Sequence, residues 1–165
     1  MLLLQPILPE HLEQLRRWRN QPELRQYFRE YRDITPAMQH SWYDSLQNDN
    51  TQRNFAIYNE DLLIGHCSLN HIHWVYRTAE FSIYIGSPQQ RGKGYGVIAL
   101  TKLLDYGFYS LNLNRIWGEV YSHNPAFDLY LKMGFKKEGV LQQTVFKNGE
   151  YYDSYIIAIL KGDYI

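Results

Sequence analysis

The first third of the chain carries its apolar residues mainly at helical spacing. Residues 2–8 are the exception and favour a short edge strand, because Pro6 cannot donate a hydrogen bond to a neighbouring strand. A helix is predicted over residues 9–20, and a shorter helix is predicted to begin near Pro22. The apolar residues expected on the buried face of the first helix are Leu12, Leu15 and Trp18.

A third helix has the clearest start signal in this part of the chain. Thr35 can accept a hydrogen bond from the first turn, and Pro36 suits the first helical position. The residues expected on its buried face are Met38, Trp42 and Leu46. Three helices therefore precede the first long run of strand-like sequence.

From about residue 53 the apolar period changes to two, which is typical of strands. Two strands are predicted within residues 53–75, joined by the turn-like Asn59-Glu60-Asp61, and a third is predicted over residues 78–86. In that third strand one face carries Phe81, Ile83 and Ile85, and the other carries Glu80, Ser82 and Tyr84.

The second half of the chain alternates helices with strands. The clearest helix is predicted over residues 94–111, followed by a strand over residues 114–121 and a helix over residues 124–135. Asn148-Gly149 lies between two alternating runs and predicts a closing hairpin. This order of elements predicts a mixed α/β or α+β sheet with helices packed on it, in one domain covering residues 1–165.

Composition and charge narrow the class of protein. The chain has 165 residues, of which 45% are hydrophobic and 21% charged, so a globular domain is expected. The net charge is zero, which argues against a nucleic-acid partner. The opening apolar run is short and is soon interrupted by proline, so neither a signal segment nor a membrane partner is expected, and we predict a cytoplasmic protein.

A glycine-rich turn between a predicted strand and a predicted helix is the first candidate site. Gly92, Gly94 and Gly96 alternate with Arg91 and Lys93. The first N–H groups of a helix have no internal partner, and glycine lets an anion approach them closely. The turn is therefore a candidate phosphate or pyrophosphate cradle, and a solvated turn without a ligand is the alternative. Its spacing fits neither the P-loop nor the Rossmann fingerprint.

A second motif begins 33 residues after Gly96, and the pair of motifs has a family resemblance. It is the stretch Leu129-Tyr130-Leu131-Lys132-Met133-Gly134-Phe135. Together with Arg91-Gly92-Lys93-Gly94-Tyr95-Gly96, it resembles the GNAT superfamily of acetyl-CoA-dependent N-acetyltransferases. The segments "LRRWRNQPELRQYF" and "AEFSIYIG" look similar to the branch that contains ribosomal-protein N-terminal acetyltransferases and aminosugar-nucleotide N-acetyltransferases.

The resemblance implies a fold and a donor site. The fold would be a mixed, mostly antiparallel twisted sheet of about seven strands flanked by about four helices. The main-chain N–H groups of the turn would hold the pyrophosphate of acetyl-CoA, and the preceding strand would pair with the pantetheine arm. The residues implied are Ile83, Tyr84, Ile85, Arg91, Gly92, Lys93, Gly94, Tyr95 and Gly96. The arginine could also bind phosphate in bidentate fashion.

The same resemblance implies that Tyr130 is the general acid that protonates the leaving thiolate and that it also contacts the coenzyme. Relatives often carry a pantetheine-binding asparagine seven residues before this tyrosine. Here that position is His123, and Asn124 follows it. Asn124 either contacts the coenzyme or caps the helix, and the sequence leaves both roles open.

A general base is also needed, because an alkyl amine is mostly protonated at neutral pH. Glu80 is the first candidate and Glu119 the second, with an ordinary strand carboxylate as the alternative for each. His71 and His73 alternate on one strand, but without a third ligand they predict no metal site. Cys67 is expected to be a buried, inert thiol, so direct attack on the thioester in a ternary complex is predicted.

The acceptor is predicted only as a primary amine: a peptide or protein N-terminus, or a small amine such as an aminosugar nucleotide. The first helices are expected to border its site through Trp18, Arg19, Asn20, Tyr27, Phe28 and Trp42. The alternatives are a non-catalytic acyl-CoA-binding domain and a different phosphate-binding enzyme such as a nucleotide kinase. The terminal strands could also pair in a homodimer.

Overall fold

The computed structural model describes residues 1–164 and contains seven strands and five α-helices. The strands are β1 (Leu2–Pro6), β2 (Arg53–Asn59), β3 (Leu62–His73), β4 (Thr78–Ile85), β5 (Arg115–Tyr121), β6 (Lys136–Lys147) and β7 (Glu150–Leu160). The helices are α1 (Leu12–Asn20), α2 (Pro22–Arg25), α3 (Pro36–Leu46), α4 (Tyr95–Asp105) and α5 (Ala126–Lys132). The seven predicted strands are confirmed, and there is one more helix than the four expected.

All seven strands form one sheet in the order β1-β2-β3-β4-β5-β7-β6. Every neighbouring pair is antiparallel except β4 and β5, which are parallel. The prediction of a mixed, mostly antiparallel sheet is therefore confirmed. β1 lies at one edge, as the proline in its sequence requires.

The parallel pairing between β4 and β5 is short, and it opens a cleft in the sheet. Residues 78–80 of β4 pair with residues 115–117 of β5, and neither strand pairs with the other beyond that point. β4 nevertheless continues to Ile85, held by β3, and β5 continues to Tyr121, held by β7. The two strands therefore diverge in the middle of the sheet and leave a cleft between them, with unpaired main-chain groups along its walls.

Two apolar clusters hold the helices on the sheet. The larger contains Leu100 and Leu104 from α4 and Phe108 from the π-helical turn that follows α4. All three are at 1% exposure or less. The smaller contains the three residues predicted for α1, which are 2–4% exposed: Leu12, Leu15 and Trp18. The predicted face of α1 is confirmed, so the apolar period fixes which side of this helix meets the sheet.

The predicted face of α3 is only partly correct. Met38, Trp42 and Leu46 are all half-buried, and Gln39 is the one buried residue of this helix. The helix lies at the rim of the smaller cluster and is rotated so that Trp42 and Tyr43 pack against it. A helix that covers only the edge of a core needs no complete apolar stripe, and the sequence period is correspondingly weak.

The predicted cap of α3 and the predicted closing hairpin are confirmed. The Thr35 hydroxyl accepts a hydrogen bond from the Met38 N–H at 3.2 Å, and α5 is followed by Gly134 at φ +104°. Asn148 and Gly149 both have positive φ, as a tight hairpin turn requires. Within residues 1–164 the helices are all too short or too polar to cross a lipid bilayer.

Candidate active site

The cleft between β4 and β5 has a volume of about 610 Å³ and is the centre of the candidate site. Its walls come from the two diverging strands, from the start of α5 and from the segment that follows α2. Five of the predicted site residues that line it are Glu80, Ile83, Glu119, Asn124 and Tyr130. Residues far apart in sequence are thus brought to one cavity by the divergence of the strands.

The glycine-rich turn lies at the end of β4 and leads directly into α4. Gly92 and Gly94 have φ of +73° and +82°, in the left-handed region that favours glycine. A Cβ at either position would meet nothing within 4 Å, so the main chain is open to a ligand. In the described part of the chain, the N–H groups of residues 92–97 donate no hydrogen bonds. They are therefore free to bind an anion, and Lys93 is exposed beside them.

The side chains around the turn fix its position. The Arg91 Nε donates to the Ile85 carbonyl at 2.9 Å and its Nη2 to the Gly86 carbonyl at 2.8 Å. The arginine thus fastens the turn to the end of β4, which differs from the predicted bidentate grip on phosphate. The Tyr95 hydroxyl accepts from the Asn59 amide at 3.0 Å, so its contribution to an anion site would come from its main chain.

The strand predicted to pair with pantetheine is the end of β4. Its main chain faces the cleft, and its side chains pack into the two apolar clusters. Ile83 and Ile85 pack against the larger core cluster, and Tyr84 belongs to the smaller one. Because β5 has already diverged, the edge of β4 that carries these residues is unpaired on the cleft side. An amide-bearing chain could add to that edge as an extra strand.

Tyr130 is buried in α5 and forms part of the cleft wall. Its ring packs edge-on against Phe81 at 5.2 Å between centroids. Within residues 1–164 its hydroxyl makes no hydrogen bond, and burial raises the pKa of Tyr130 to about 12. The phenol is therefore protonated at neutral pH and can act as a proton donor.

Asn124 caps α5, because its side-chain oxygen accepts from the Ala126 N–H at 2.9 Å. It also lines the cleft, so its amide nitrogen could still serve a ligand. His123, at the position where relatives often carry asparagine, stacks on Tyr152 with ring centroids 4.0 Å apart. Burial lowers the pKa of His123. The cap is thus established, while the coenzyme contact of Asn124 stays a prediction.

The two carboxylates proposed as bases lie together, joined by an arginine that sequence reasoning missed. The Nη2 atom of Arg29 donates to Glu80 at 2.6 Å and to Glu119 at 3.0 Å. Burial opposes the charge on Arg29, but the hydrogen bonds to the two carboxylates outweigh it and raise its pKa. Arg29 is separated from its partners by 51 and 90 residues, so no local motif could have found it.

The residues predicted to border the acceptor site divide into two groups. Arg19, Tyr27 and Phe28 line the cleft, and the Arg19 guanidinium lies 4.2 Å from the centre of the Phe28 ring. The other three do not line it: Trp18 lies in the core, Asn20 binds the main chain of Ile34, and Trp42 borders a neighbouring cavity of about 170 Å³.

Cys67 is fully buried, and burial raises the pKa of its thiol. A thiolate nucleophile is therefore disfavoured there. Among residues 1–164, no group of three or more histidine, cysteine or acidic side chains is placed to hold a metal ion.

Comparison with known proteins shows the family to which this chain belongs. Residues 1–136 match the family described as the acetyltransferase (GNAT) domain. The chain belongs to this family. It is 39% identical to the spermidine N(1)-acetyltransferase of Vibrio cholerae over 127 residues, which cover 74% of this chain and 72% of the relative. It is 36% identical to the corresponding enzyme of Escherichia coli K12 over 74% of this chain and 66% of the relative.

Solved structures agree with this family assignment. The V. cholerae spermidine N-acetyltransferase in complex with CoA and spermine superposes with a TM-score of 0.94 at 32% identity, covering 99% of this chain and 97% of that one. A dodecameric structure of the same enzyme gives a TM-score of 0.85 at 30% identity, covering 98% and 94%. The protein is therefore an acetyl-CoA-dependent N-acetyltransferase of the GNAT fold. The named relatives act on spermidine, so the predicted ribosomal-protein and aminosugar-nucleotide branch is wrong.

Proposed function

We propose that this N-acetyltransferase transfers the acetyl group of acetyl-CoA to a primary amine of a polyamine such as spermidine. The observation that carries the proposal is the cleft at the β4–β5 divergence. It runs from a donor end, beside the glycine turn that follows β4, past Tyr130 to an acceptor end that holds a pair of carboxylates. The named relatives support the polyamine as acceptor.

Donor binding would use the main chain. The free N–H groups of residues 92–97 offer several donors to the pyrophosphate at the positive end of α4. The unpaired edge of β4 around Ile83 to Ile85 offers donors and acceptors to the amides of pantetheine. Asn124 lies on the opposite wall, where its amide nitrogen could reach the same arm.

The chemistry needs no covalent enzyme intermediate. The ammonium of the acceptor first loses one proton to a base, and its nitrogen then attacks the thioester carbonyl carbon. The C–S bond breaks as the C–N bond forms, and Tyr130 protonates the departing thiolate. The phenol then recovers the second proton from the acceptor nitrogen. One acetylated amine, one CoA thiol and one released proton balance the reaction.

Charge in the cleft favours a cationic acceptor. Four carboxylates line it: Glu23, Glu30, Glu80 and Glu119. Three arginines share the cavity, but Arg91 is engaged with main-chain carbonyls and Arg29 is shared by two of the carboxylates. Glu30 is paired with Arg32. Within residues 1–164 the Glu23 carboxylate and one oxygen of Glu119 make no ion pair, so they remain available to ammonium groups along an extended polyamine.

We also propose that the chain associates with copies of itself, because a spermidine N-acetyltransferase of the same fold forms a dodecamer. The outer hairpin offers surface for this. Four large apolar residues on it are exposed: Val140, Leu141, Phe146 and Tyr151. Sedimentation of the purified chain measures the state directly.

An acetyl-CoA-dependent thiol-release assay across a set of amines tests the proposed function. The set contains spermidine, spermine, an N-terminal peptide and a UDP-aminosugar, each with product mass confirmed. We expect the highest kcat/KM with a polyamine. Preference for the peptide or the aminosugar would contradict the polyamine assignment, and acetyl-CoA binding without transfer to any amine would favour a non-catalytic domain.

A further inference from the structure

His71 occupies an irregular position next to the carboxylate pair. The register between β3 and β4 shifts between Asn70 and His73, which places a bulge at His71. Its φ is +50°, in the left-handed region that non-glycine residues rarely adopt. Bulges often redirect a side chain next to an active site, and strained conformations occur where function requires them. Here the bulge directs the imidazole into the cleft.

The imidazole contacts the most buried carboxylate of the site. The Nδ1 atom of His71 lies 2.9 Å from one oxygen of Glu80, and Arg29 holds the other oxygen at 2.6 Å. The Glu80 side chain is only 8% exposed, whereas that of His71 is 72% exposed. Both oxygens of Glu80 are therefore already engaged, which makes this carboxylate a poor first acceptor for a proton from the substrate.

The geometry fixes the tautomer of a neutral His71. A carboxylate that is ion-paired with arginine can only accept hydrogen bonds, so the Nδ1 atom must carry the proton. The lone pair is then on Nε2, which makes no hydrogen bond within residues 1–164. A carboxylate that orients an imidazole and leaves the other nitrogen open is the arrangement that makes histidine a general base in catalytic triads.

We propose that His71 is the general base of the reaction and that Glu80 orients it. This inference rests on the acetylation of an amine proposed above, but not on the identity of the amine. The acceptor ammonium transfers one proton to the Nε2 atom of His71, the free amine attacks the thioester, and the imidazolium formed is stabilised by Glu80. Because His71 is exposed, it returns that proton to water after each cycle.

The proposal replaces a carboxylate base by an imidazole base. An imidazole changes charge between about pH 5 and 8, whereas a carboxylate does so at lower pH. The charged groups that share the cleft with His71 come from several elements: Arg19 on α1, Glu23 on α2, Arg29 and Glu30 in the segment after α2, Glu80 on β4, Arg91 in the turn after β4, and Glu119 on β5. An imidazole base must be neutral to accept a proton, so kcat must fall as the pH is lowered.

Two substitutions test the assignment. His71→Gln keeps an N–H donor for Glu80, and His71→Asn tolerates a left-handed main chain, but neither supplies a base. We expect each to lower kcat by about 10²-fold or more, the range of general-base catalysis, and to remove the decrease of kcat at acidic pH.

The matched control is His73→Gln, because His73 is exposed on the same strand and does not line the cleft. It should retain the kcat and pH profile of the unsubstituted protein.

Two results would contradict the assignment of His71 as the general base. If His71→Gln or His71→Asn retains kcat within a few-fold, His71 only holds Glu80 in place and the proposal is wrong. If the acidic fall survives in both variants and disappears in Glu119→Gln, the base is Glu119. The assay uses whichever amine the unsubstituted protein acetylates best, with coenzyme binding measured in parallel. A wrong polyamine assignment would therefore appear with the unsubstituted protein, before any variant is compared.

Discussion

The donor end and the acceptor end of the cleft consist of different chemical groups. The donor end consists of main-chain groups: left-handed glycines, free N–H groups at the start of α4, and the unpaired edge of β4. The acceptor end consists of side chains, with Arg29, Glu80, Glu119 and His71 joined by hydrogen bonds. A main-chain site depends on backbone conformation, whereas a side-chain site can change with a single substitution.

This difference predicts how the two ends respond to mutation. Substitutions at the donor end act through main-chain conformation and should change coenzyme binding for every acceptor. Substitutions at the acceptor end act through charge and should change the choice of amine. Tyr130 lies between the two ends and should change turnover alone. Three variants test this separation, in order of decreasing effect.

Tyr130→Phe should have the largest effect of the three. It removes the proton donor for the thiolate while preserving the ring that packs on Phe81. We expect kcat to fall by about 10²-fold or more, within the range of general-acid catalysis, with acetyl-CoA affinity unchanged. Steady-state thiol release and calorimetric titration with acetyl-CoA measure the two quantities.

The control for this variant is Tyr155→Phe. Tyr155 is half-buried on β7, packs on Phe127 at 4.5 Å, and does not line the cleft. It should retain normal turnover. If Tyr130→Phe also retains normal turnover, the buried phenol is a packing residue and another group protonates the thiolate.

Gly94→Val should have an intermediate effect and act on the donor end only. Gly94 is at φ +82°, where a residue with a Cβ costs roughly 1–2 kcal/mol, and a β-branched residue is especially disfavoured. Distortion of the turn should raise the KM for acetyl-CoA about tenfold. The kcat at saturating coenzyme should change much less.

Gly139→Val is the matched control for the donor end. A Cβ at Gly139 also meets nothing within 4 Å, but this glycine lies in β6, away from the turn, and its φ is not positive. Its KM for acetyl-CoA should stay unchanged. If Gly94→Val also leaves this KM unchanged, the turn does not grip the coenzyme.

The two ends also differ in how far the sequence predicts them. The glycine turn is local: three glycines between a strand and a helix fall within six residues, and their spacing carries the chemistry. The same holds for the Asn148-Gly149 hairpin and the Thr35 cap, which depend on near neighbours. Such features follow from the allowed main-chain angles of a few residues.

The acceptor end is not local, and the sequence predicts it only in part. Glu80 and Glu119 are named from their strands, but their shared partner Arg29 comes from an irregular segment after α2. The alternation of His71 and His73 predicts that both face one side, yet the bulge at His71 turns it towards Glu80. A bulge inserts one residue into the register, which a period of two cannot reveal.

Arg29→Gln should have the smallest effect and act on the acceptor end only. It leaves Glu80 and Glu119 without their shared cation, so the cleft gains net negative charge. An ammonium group could then take the vacated position, and an interaction change of about 1 kcal/mol in this partly exposed site lowers the KM for spermidine about fivefold. The KM for acetyl-CoA should not change. Arg17→Gln is the control, because its ion pair with Glu13 lies on the exposed face of α1. A higher KM for spermidine would show that Arg29 helps to bind the acceptor, and would overturn its interpretation as the counter-ion of the two carboxylates.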